Sequence, residues 1–395
     1  MSVYKESLET SIVVASTREY SERKTGVVNV PIYLSSTFHQ ESFDEFGPYD
    51  YSRSGNPTRD ALEKTIAELE GGTRGLAFAS GIAAISSAFM LLSAGDHIVI
   101  TEDVYGGTFR FVTEVLPRLG IEHTFVDFTN LEAVASAIRS NTKLIYIETP
   151  SNPCLGITDI AGIVELAKDN NCLTFLDNTF MTPLYQRPLD LGIDVVLHSA
   201  TKFLSGHSDI IAGLAVTKDE ELGKRLAFLQ NSFGAILGAQ DSFSLIQGIK
   251  TLSVRFEKSA DSAQQIANYL TNHSLVEEVY YPGLSTHPGF EIHAQQATSP
   301  GAVLSFRLPT KAIAKAFVES LQIPVFAVSL GGVESILSHP AQMSHAAMPI
   351  DEREKRGITD GLLRFSVGIE NVNDLIADFD QALQVAAKQK EKVGI

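Results

Sequence analysis

Between about residue 60 and residue 250, seven short apolar runs alternate with helical stretches: 76–79, 97–100, 123–126, 144–147, 173–176, 195–198 and 212–216. Helical spacing of apolar residues is plain in TRDALEKTIAELE and continues in 131–139 and 160–168. Runs this short and continuously apolar, without the alternation of a half-exposed strand, suit strands covered on both faces. The pattern predicts an α/β fold with a mainly parallel seven-stranded sheet and helices on both sides. Parallel strands end at one common edge, so functional residues are expected on the loops leaving their carboxyl ends.

The rest of the chain divides around that unit. Residues 1–60 are rich in Gly, Ser, Tyr and Pro with little periodicity, and read as an arm packing on something else, such as a second subunit. Residues 61–250 form the large domain. From 251 a long helical stretch leads to strand-like runs at 277–281, 302–307 and 362–366, then a helix ending in KQKEK, giving a smaller α/β domain over 251–395.

The 395 residues include 31 Lys and Arg against 47 Asp and Glu, a net charge of −16. That balance argues against nucleic acid or an anionic membrane as partner, but leaves room for a local cationic pocket. The uncharged stretch 75–95 is long enough to cross a membrane, yet Ser80-Gly81 splits it into a strand and a helix. Glu6 and Glu9 fall where an export signal needs its apolar core, and Cys154 and Cys172 lack CxxC spacing. A reduced, cytoplasmic protein is expected.

The strongest cluster is HSATKFLSGHSD at 198–209, directly after an apolar run. Lys202, among small and apolar neighbours, suits an imine-forming amine, because burial lowers its pKa and frees the lone pair; a surface lysine in a turn is the alternative. Ser199 and Thr201 offer hydroxyls to phosphate oxygens. Asp177 in LDNTF ends another run, where a cationic partner and an ordinary helix cap explain it equally well. Gly81 in FASGIAA lets backbone N–H groups approach a phosphate at a helix start, a weak motif alone. Tyr105 in DVYGGT can stack on a planar ligand or be a plain loop tyrosine. Tyr51 and Arg53, in DYSRSGNPT, lie in the arm, and Arg53 could fork onto a phosphate. Arg364 in LLRFSVG needs a partner, either an internal salt bridge or a substrate carboxylate. GxGxxG and GxxxxGK followed by Ser or Thr are absent, as are HExxH and GxSxG. The histidine pairs 198/207 and 287/293 are not spaced as metal ligands, and no metal is expected.

Together, TGVVNVPIYLSSTF, YSRSGNPTRDALE, FASG, DVYGGT, ETPSNP, LDNTF, HSATKFLSGHSD, SLGGVES and LLRFSVGIE make the chain resemble the cystathionine γ-synthase/γ-lyase family of Cys/Met metabolism, and the γ-lyases in particular. These are fold-type I (aspartate aminotransferase-like) proteins that use pyridoxal 5′-phosphate. The resemblance implies that Lys202 carries the cofactor and shuttles protons, that Asp177 faces the pyridine nitrogen, and that Tyr105 stacks on the ring and can act as acid or base. Amides of Gly81 and Ile82, Ser199 and Thr201, with Tyr51 and Arg53 from a neighbouring subunit, would hold the phosphate. Asn152 would lie near the ring oxygen and the substrate. Arg364, helped by Ser329, would take the substrate α-carboxylate, and Arg110 and Asp50 would line the distal pocket. A homotetramer sharing active sites is implied as well.

Three positions depart from the family pattern. Phe203 stands where Tyr is frequent, Gly107 where methionine γ-lyases carry a reactive Cys, and Val328 where many cystathionine γ-lyases and synthases have an acidic residue facing the distal end of the substrate. The last favours a broader C–S lyase. The activity implied is γ-elimination of L-cystathionine, a small sulfur-containing amino acid, to L-cysteine, 2-oxobutanoate and ammonia. β-Elimination and cysteine desulfhydration would share the site. The stretches RLAFLQNS and YSRSGNPT place the lyase ahead of its alternative, a γ-synthase or O-acylhomoserine sulfhydrylase working by γ-replacement. A cofactor-free structural protein is disfavoured by intact Lys202, Asp177 and Arg364.

Overall fold

In a computed structural model, which describes residues 6–18, 26–346 and 348–393, the seven apolar runs form one sheet. Its strands are β1 (Arg74–Phe78), β2 (His97–Thr101), β3 (Glu122–Val126), β4 (Thr142–Glu148), β5 (Leu173–Asp177), β6 (Val195–Ser199) and β7 (Gly213–Thr217), in the order β1-β7-β6-β5-β4-β2-β3. Pairing is parallel from β6 across to β3, while β7 runs antiparallel to both β1 and β6. Every residue of β2 and β7 is buried, which explains runs without alternation.

The helix starts follow the local chemistry. Asn56 caps α2 (Pro57–Glu70) by accepting the N–H groups of Thr58 and Arg59, with Pro57 at the first position. Ser80 caps α3 (Gly81–Phe89) by accepting the Ala83 N–H at 3.1 Å. The stretch 75–95 is thus β1, a sharp turn and α3. Among the described residues no helix is long and apolar enough to cross a membrane.

The arm is more regular than its sequence suggests. Helix α1 (Leu8–Arg18) lies within it, burying Ile12, Ala15 and Ser16 at helical spacing. Its β-branched run gives a weak propensity signal, and packing beside α2 supplies the stability instead.

A second sheet holds β8 (Glu278–Tyr280), β9 (Val303–Arg307), β10 (Val325–Phe326), β11 (Ile336–Ser338) and β12 (Leu362–Ser366), in the order β10-β11-β12-β9-β8. The sequence predicts three of these five; β10 and β11 have two and three residues, too short to leave a period. Its core is separate, built on Phe306, Phe317, Phe365 and Phe379 under the helices Leu252–Thr271 and Val372–Val393. The KQKEK tail belongs to the latter helix, and its side chains from 389 on lie outside the description. Ala302, Val303 and Leu330 nevertheless pack into the core of the large sheet. The segment around Leu330 is thereby fixed against the large sheet's carboxyl edge.

Candidate active site

At that edge lies a cavity of about 510 Å³. The last residues of β4, β5 and β6 deliver Glu148, Asp177 and Ser199 to it. The start of α3 brings Gly81 and Ile82, and α4 (Gly106–Glu114) brings Arg110, with Tyr105 just before it. Loops add Asn152, Thr201 and Lys202, the loop between β10 and β11 adds Ser329, and the second sheet contributes Ser338 and Arg364. Asp50, Tyr51 and Arg53 do not line the cavity of their own chain. They are exposed, with Arg53 donating to the Asn231 carbonyl and side chain at 3.0 and 2.9 Å and lying over the Tyr51 ring.

The floor is built around Asp177. One carboxylate oxygen accepts the Thr179 N–H at 3.0 Å and the Thr179 hydroxyl, which in turn accepts the Ser199 N–H at 2.8 Å. This chain locks the ends of β5 and β6 together. Burial pushes the Asp177 carboxyl above its ordinary range, so a cation placed against it would offset a standing cost. Thr179 escapes the sequence reading, although Asp-x-Thr is the spacing of a side-chain turn.

Gly81 is required by close approach: a Cβ there would meet Ser199 Cβ at 2.8 Å and Cα at 2.9 Å. Only glycine lets the start of α3 lie against β6, aligning the first-turn N–H groups with the Ser199 side chain. The Thr201 hydroxyl is engaged with Ala212, donating to its carbonyl at 3.3 Å and accepting its N–H at 2.9 Å.

Lys202 donates from Nζ to Ser329 Oγ at 2.6 Å. Burial, with the nearby positive charge of Arg364, lowers the amine to about 8. Phe203 stacks on Phe256 at 4.2 Å, an apolar setting that suits the missing hydroxyl and anchors the lysine's backbone. Ser329 has a positive φ of 85°, a conformation costly for a residue with a side chain. It turns the hydroxyl to Lys202 while its carbonyl accepts Arg364 Nη2 at 2.6 Å.

Arg364 is 4% exposed and is braced by neutral groups, donating to Asn152 Oδ1 at 2.8 Å and to Ser338 Oγ at 2.9 Å. No carboxylate pairs with it among the described residues, and its Nε has no partner. A buried, uncompensated guanidinium in a cavity wall favours a ligand carboxylate over the internal salt bridge. Ser338 was not anticipated, because it sits on a three-residue strand. Two of the histidines weighed as ligands are occupied elsewhere: His198 pairs with buried Glu70 at 2.6 Å and His293 with the Ser299 carbonyl at 2.9 Å.

A parallel-sheet edge carrying a near-neutral lysine, an unpaired carboxyl and an unpaired guanidinium in one cavity defines a class, the fold-type I enzymes dependent on pyridoxal 5′-phosphate. The chain belongs to the Cys/Met metabolism PLP-dependent enzyme family, whose model matches residues 9–384. It is 65% identical to cystathionine beta-lyase MetC of Bacillus subtilis (strain 168) over 98% of this chain and 99% of that protein. It is 52% identical to cystathionine gamma-lyase of the same organism over 92% and 96%. The crystal structure of cystathionine gamma-lyase from Lactobacillus plantarum complexed with L-serine superposes with a TM-score of 0.94 at 46% identity, covering 97% of this chain and 100% of that one. The chain is therefore a pyridoxal-phosphate-dependent carbon–sulfur lyase.

The residues present fit that cofactor. Asp177 offers a carboxyl to a protonated ring nitrogen, Gly81 opens a cradle that a Cβ would fill, and Lys202 supplies an amine that loses its proton near neutrality. Only the neutral amine attacks a carbonyl. Covalent loading of cofactor-free protein should therefore accelerate about tenfold per pH unit up to about 8 and level off above it, whereas an ordinary lysine would keep accelerating to about 10.4. Stopped-flow absorbance across that range checks the midpoint.

Proposed function

We propose that this enzyme cleaves L-cystathionine, chiefly by β-elimination to homocysteine, pyruvate and ammonia, with γ-elimination to cysteine, 2-oxobutanoate and ammonia and cysteine desulfhydration as lesser outcomes. The observation that carries the lyase reading is the amine of Lys202, held by Ser329 beside the unpaired Arg364, which can serve either elimination. β-Elimination needs one proton removed, from Cα, whereas γ-elimination needs a second, from Cβ. The higher identity to a β-lyase than to a γ-lyase supports the order of the two routes. So does Val328, whose apolar side chain stands in the cavity wall, 64% exposed, where a carboxylate would register a distal ammonium.

Bound in this cavity, pyridoxal phosphate supplies the electron sink that makes the Cα proton removable. The chain's own residues do the rest. Arg364 clamps the α-carboxylate, with Asn152 and Ser338 fixing the guanidinium plane. Lys202 takes the Cα proton on Nζ and is positioned by Ser329. Tyr105, which lines the cavity, would lie over the ring and could pass a proton near the substrate amine. Gly81, Ile82, Ser199 and Thr201 would hold the phosphate, Thr201 by turning its hydroxyl from the Ala212 carbonyl, and Arg110 would face the distal end of the substrate. Unbridged Cys154 and Cys172 are consistent with a cytoplasmic setting.

Product analysis with cystathionine tests the reading. Pyruvate in excess of 2-oxobutanoate is expected; the reverse ratio overturns the order, and no 2-oxo acid overturns lyase activity. Turnover of O-acetylhomoserine only with an added thiol would point to γ-replacement instead.

The arm completes the site from a neighbouring copy in this reading, within a homotetramer. Leu34, Phe43 and Phe46 are 77%, 92% and 72% exposed, an apolar surface suited to a second copy, and Asp50, Tyr51 and Arg53 do not line their own cavity. Inactive Lys202→Met and Arg53→Ala chains, unfolded and reassembled together, should then regain about a quarter of wild-type activity through mixed dimers with one intact site. Mixed dimers without activity would refute the exchange.

A further inference from the structure

Glu148 has no role in the chemistry above, yet it occupies the centre of the site. It ends β4 directly opposite Asp177 at the end of β5, so two carboxyl groups leave adjacent strands at the same level. It is 6% exposed and lines the cavity. Both its oxygens accept the backbone N–H of Tyr105, at 3.1 and 3.0 Å, and Oε1 also receives the Tyr146 hydroxyl at 3.4 Å. Tyr105 is the residue before α4, and no side chain of its own caps that helix. Its ring folds back across Gly107, where any Cβ would collide with it. The place of the aromatic ring is therefore set by how the first turn of α4 is held.

We propose that Glu148 is a positioning residue for Tyr105: by tying the Tyr105 N–H to the end of β4, it fixes the aromatic ring over the cofactor pocket beside Asp177. The electrostatics agree with this division of labour. Burial and the charge of Asp177 hold the Glu148 carboxyl well above the usual range, since two adjacent carboxylates do not both ionise in a buried site. With a cation against Asp177, that residue takes the negative charge and Glu148 keeps its proton. Its contribution is then geometric, and a neutral amide of the same shape should replace it.

The inference rests on the pyridoxal-phosphate site and not on the choice of substrate, so a failed β-elimination assignment leaves it standing. Glu148→Ala and Glu148→Gln are compared as full chains. Without cofactor, hydrogen exchange of the Tyr105 amide should quicken roughly tenfold in Glu148→Ala, the loss of about one hydrogen bond, and stay near wild type in Glu148→Gln. With cofactor, the induced circular dichroism of its visible band should weaken in the alanine variant and persist in the glutamine variant. In the same pair kcat should fall roughly 10- to 100-fold and recover with glutamine, while the pH profile of the glutamine variant matches wild type. An alanine variant unchanged in exchange and dichroism overturns the proposal, as does a glutamine variant as impaired as alanine. If the alanine variant fails to fold, glutamine decides alone: retained dichroism and exchange support the proposal, and their loss refutes it.

Discussion

Replacing Lys202 with methionine is expected to lower turnover by roughly 10⁴-fold or more, the upper range for removal of a positioned acid–base group, while leaving the protein folded and able to bind pyridoxal phosphate without a covalent link. Gly81, Ser199 and Asp177, the groups proposed to hold the phosphate and ring, are fixed by contacts that do not involve the amine. The substitution should also stabilise the cofactor-free protein. Lys202 is held at about 8 against about 10.4 in an unfolded chain. A lowered folded-state value favours the neutral form, so the penalty on folding is absent above the unfolded value. It grows as pH falls and is complete below about 8, where it reaches roughly 3 kcal/mol. Methionine fills a similar volume without that penalty. Denaturation midpoints of the two cofactor-free proteins should therefore differ at pH 7 and converge near pH 10. Loss of the lysine-linked visible band together with retained, denaturant-releasable cofactor checks the first part. Residual turnover above about 1% would remove Lys202 from the proton transfer.

How much of this was legible in the sequence follows from the range of the interactions involved. The large sheet was readable because each of its strands is a local apolar run, and its loops carry Gly81, Asp177, Ser199 and Lys202 within a few residues of a strand end. Arg364 was visible as an anomaly, an arginine inside an apolar strand. Of its three neutral supports, Asn152 and Ser329 came only with the family resemblance and Ser338 not at all, because the three converge on Arg364 from separate segments. Glu148 was hidden for another reason. A glutamate closing an apolar run reads as a polar strand end, and only the register of β4 against β5 sets it beside Asp177. Helix α1 was missed because burial of Ile12 and Ala15, not propensity, holds it. The distant contacts thus carry the chemistry's fine placement, while the local pattern carries its inventory.

Arg364→Leu is expected to raise KM for cystathionine roughly 30-fold to several thousand-fold, the equivalent of about 2–5 kcal/mol for truncating one partner of a buried, hydrogen-bonded charge pair, with a smaller effect on kcat. Burial lowers the guanidinium to about 10, which leaves it charged throughout the working range. A substrate carboxylate is then the partner that compensates a charge already desolvated by the fold. Arg364→Lys should fall between wild type and leucine, because one ammonium cannot reach Asn152 Oδ1, Ser338 Oγ and the Ser329 carbonyl while still presenting two parallel donors. A second readout needs no substrate. The Arg364 charge helps depress the Lys202 amine, so removing it must raise that amine's pKa towards the ordinary lysine value. The midpoint for cofactor loading should accordingly move above 8 in Arg364→Leu and stay near 8 in Arg364→Lys, which keeps the charge. A KM shift without the midpoint shift would place the carboxylate at Arg364 but deny its coupling to Lys202. An unchanged KM with a fallen kcat would mean that Arg364 only braces the wall formed by Ser329 and Ser338.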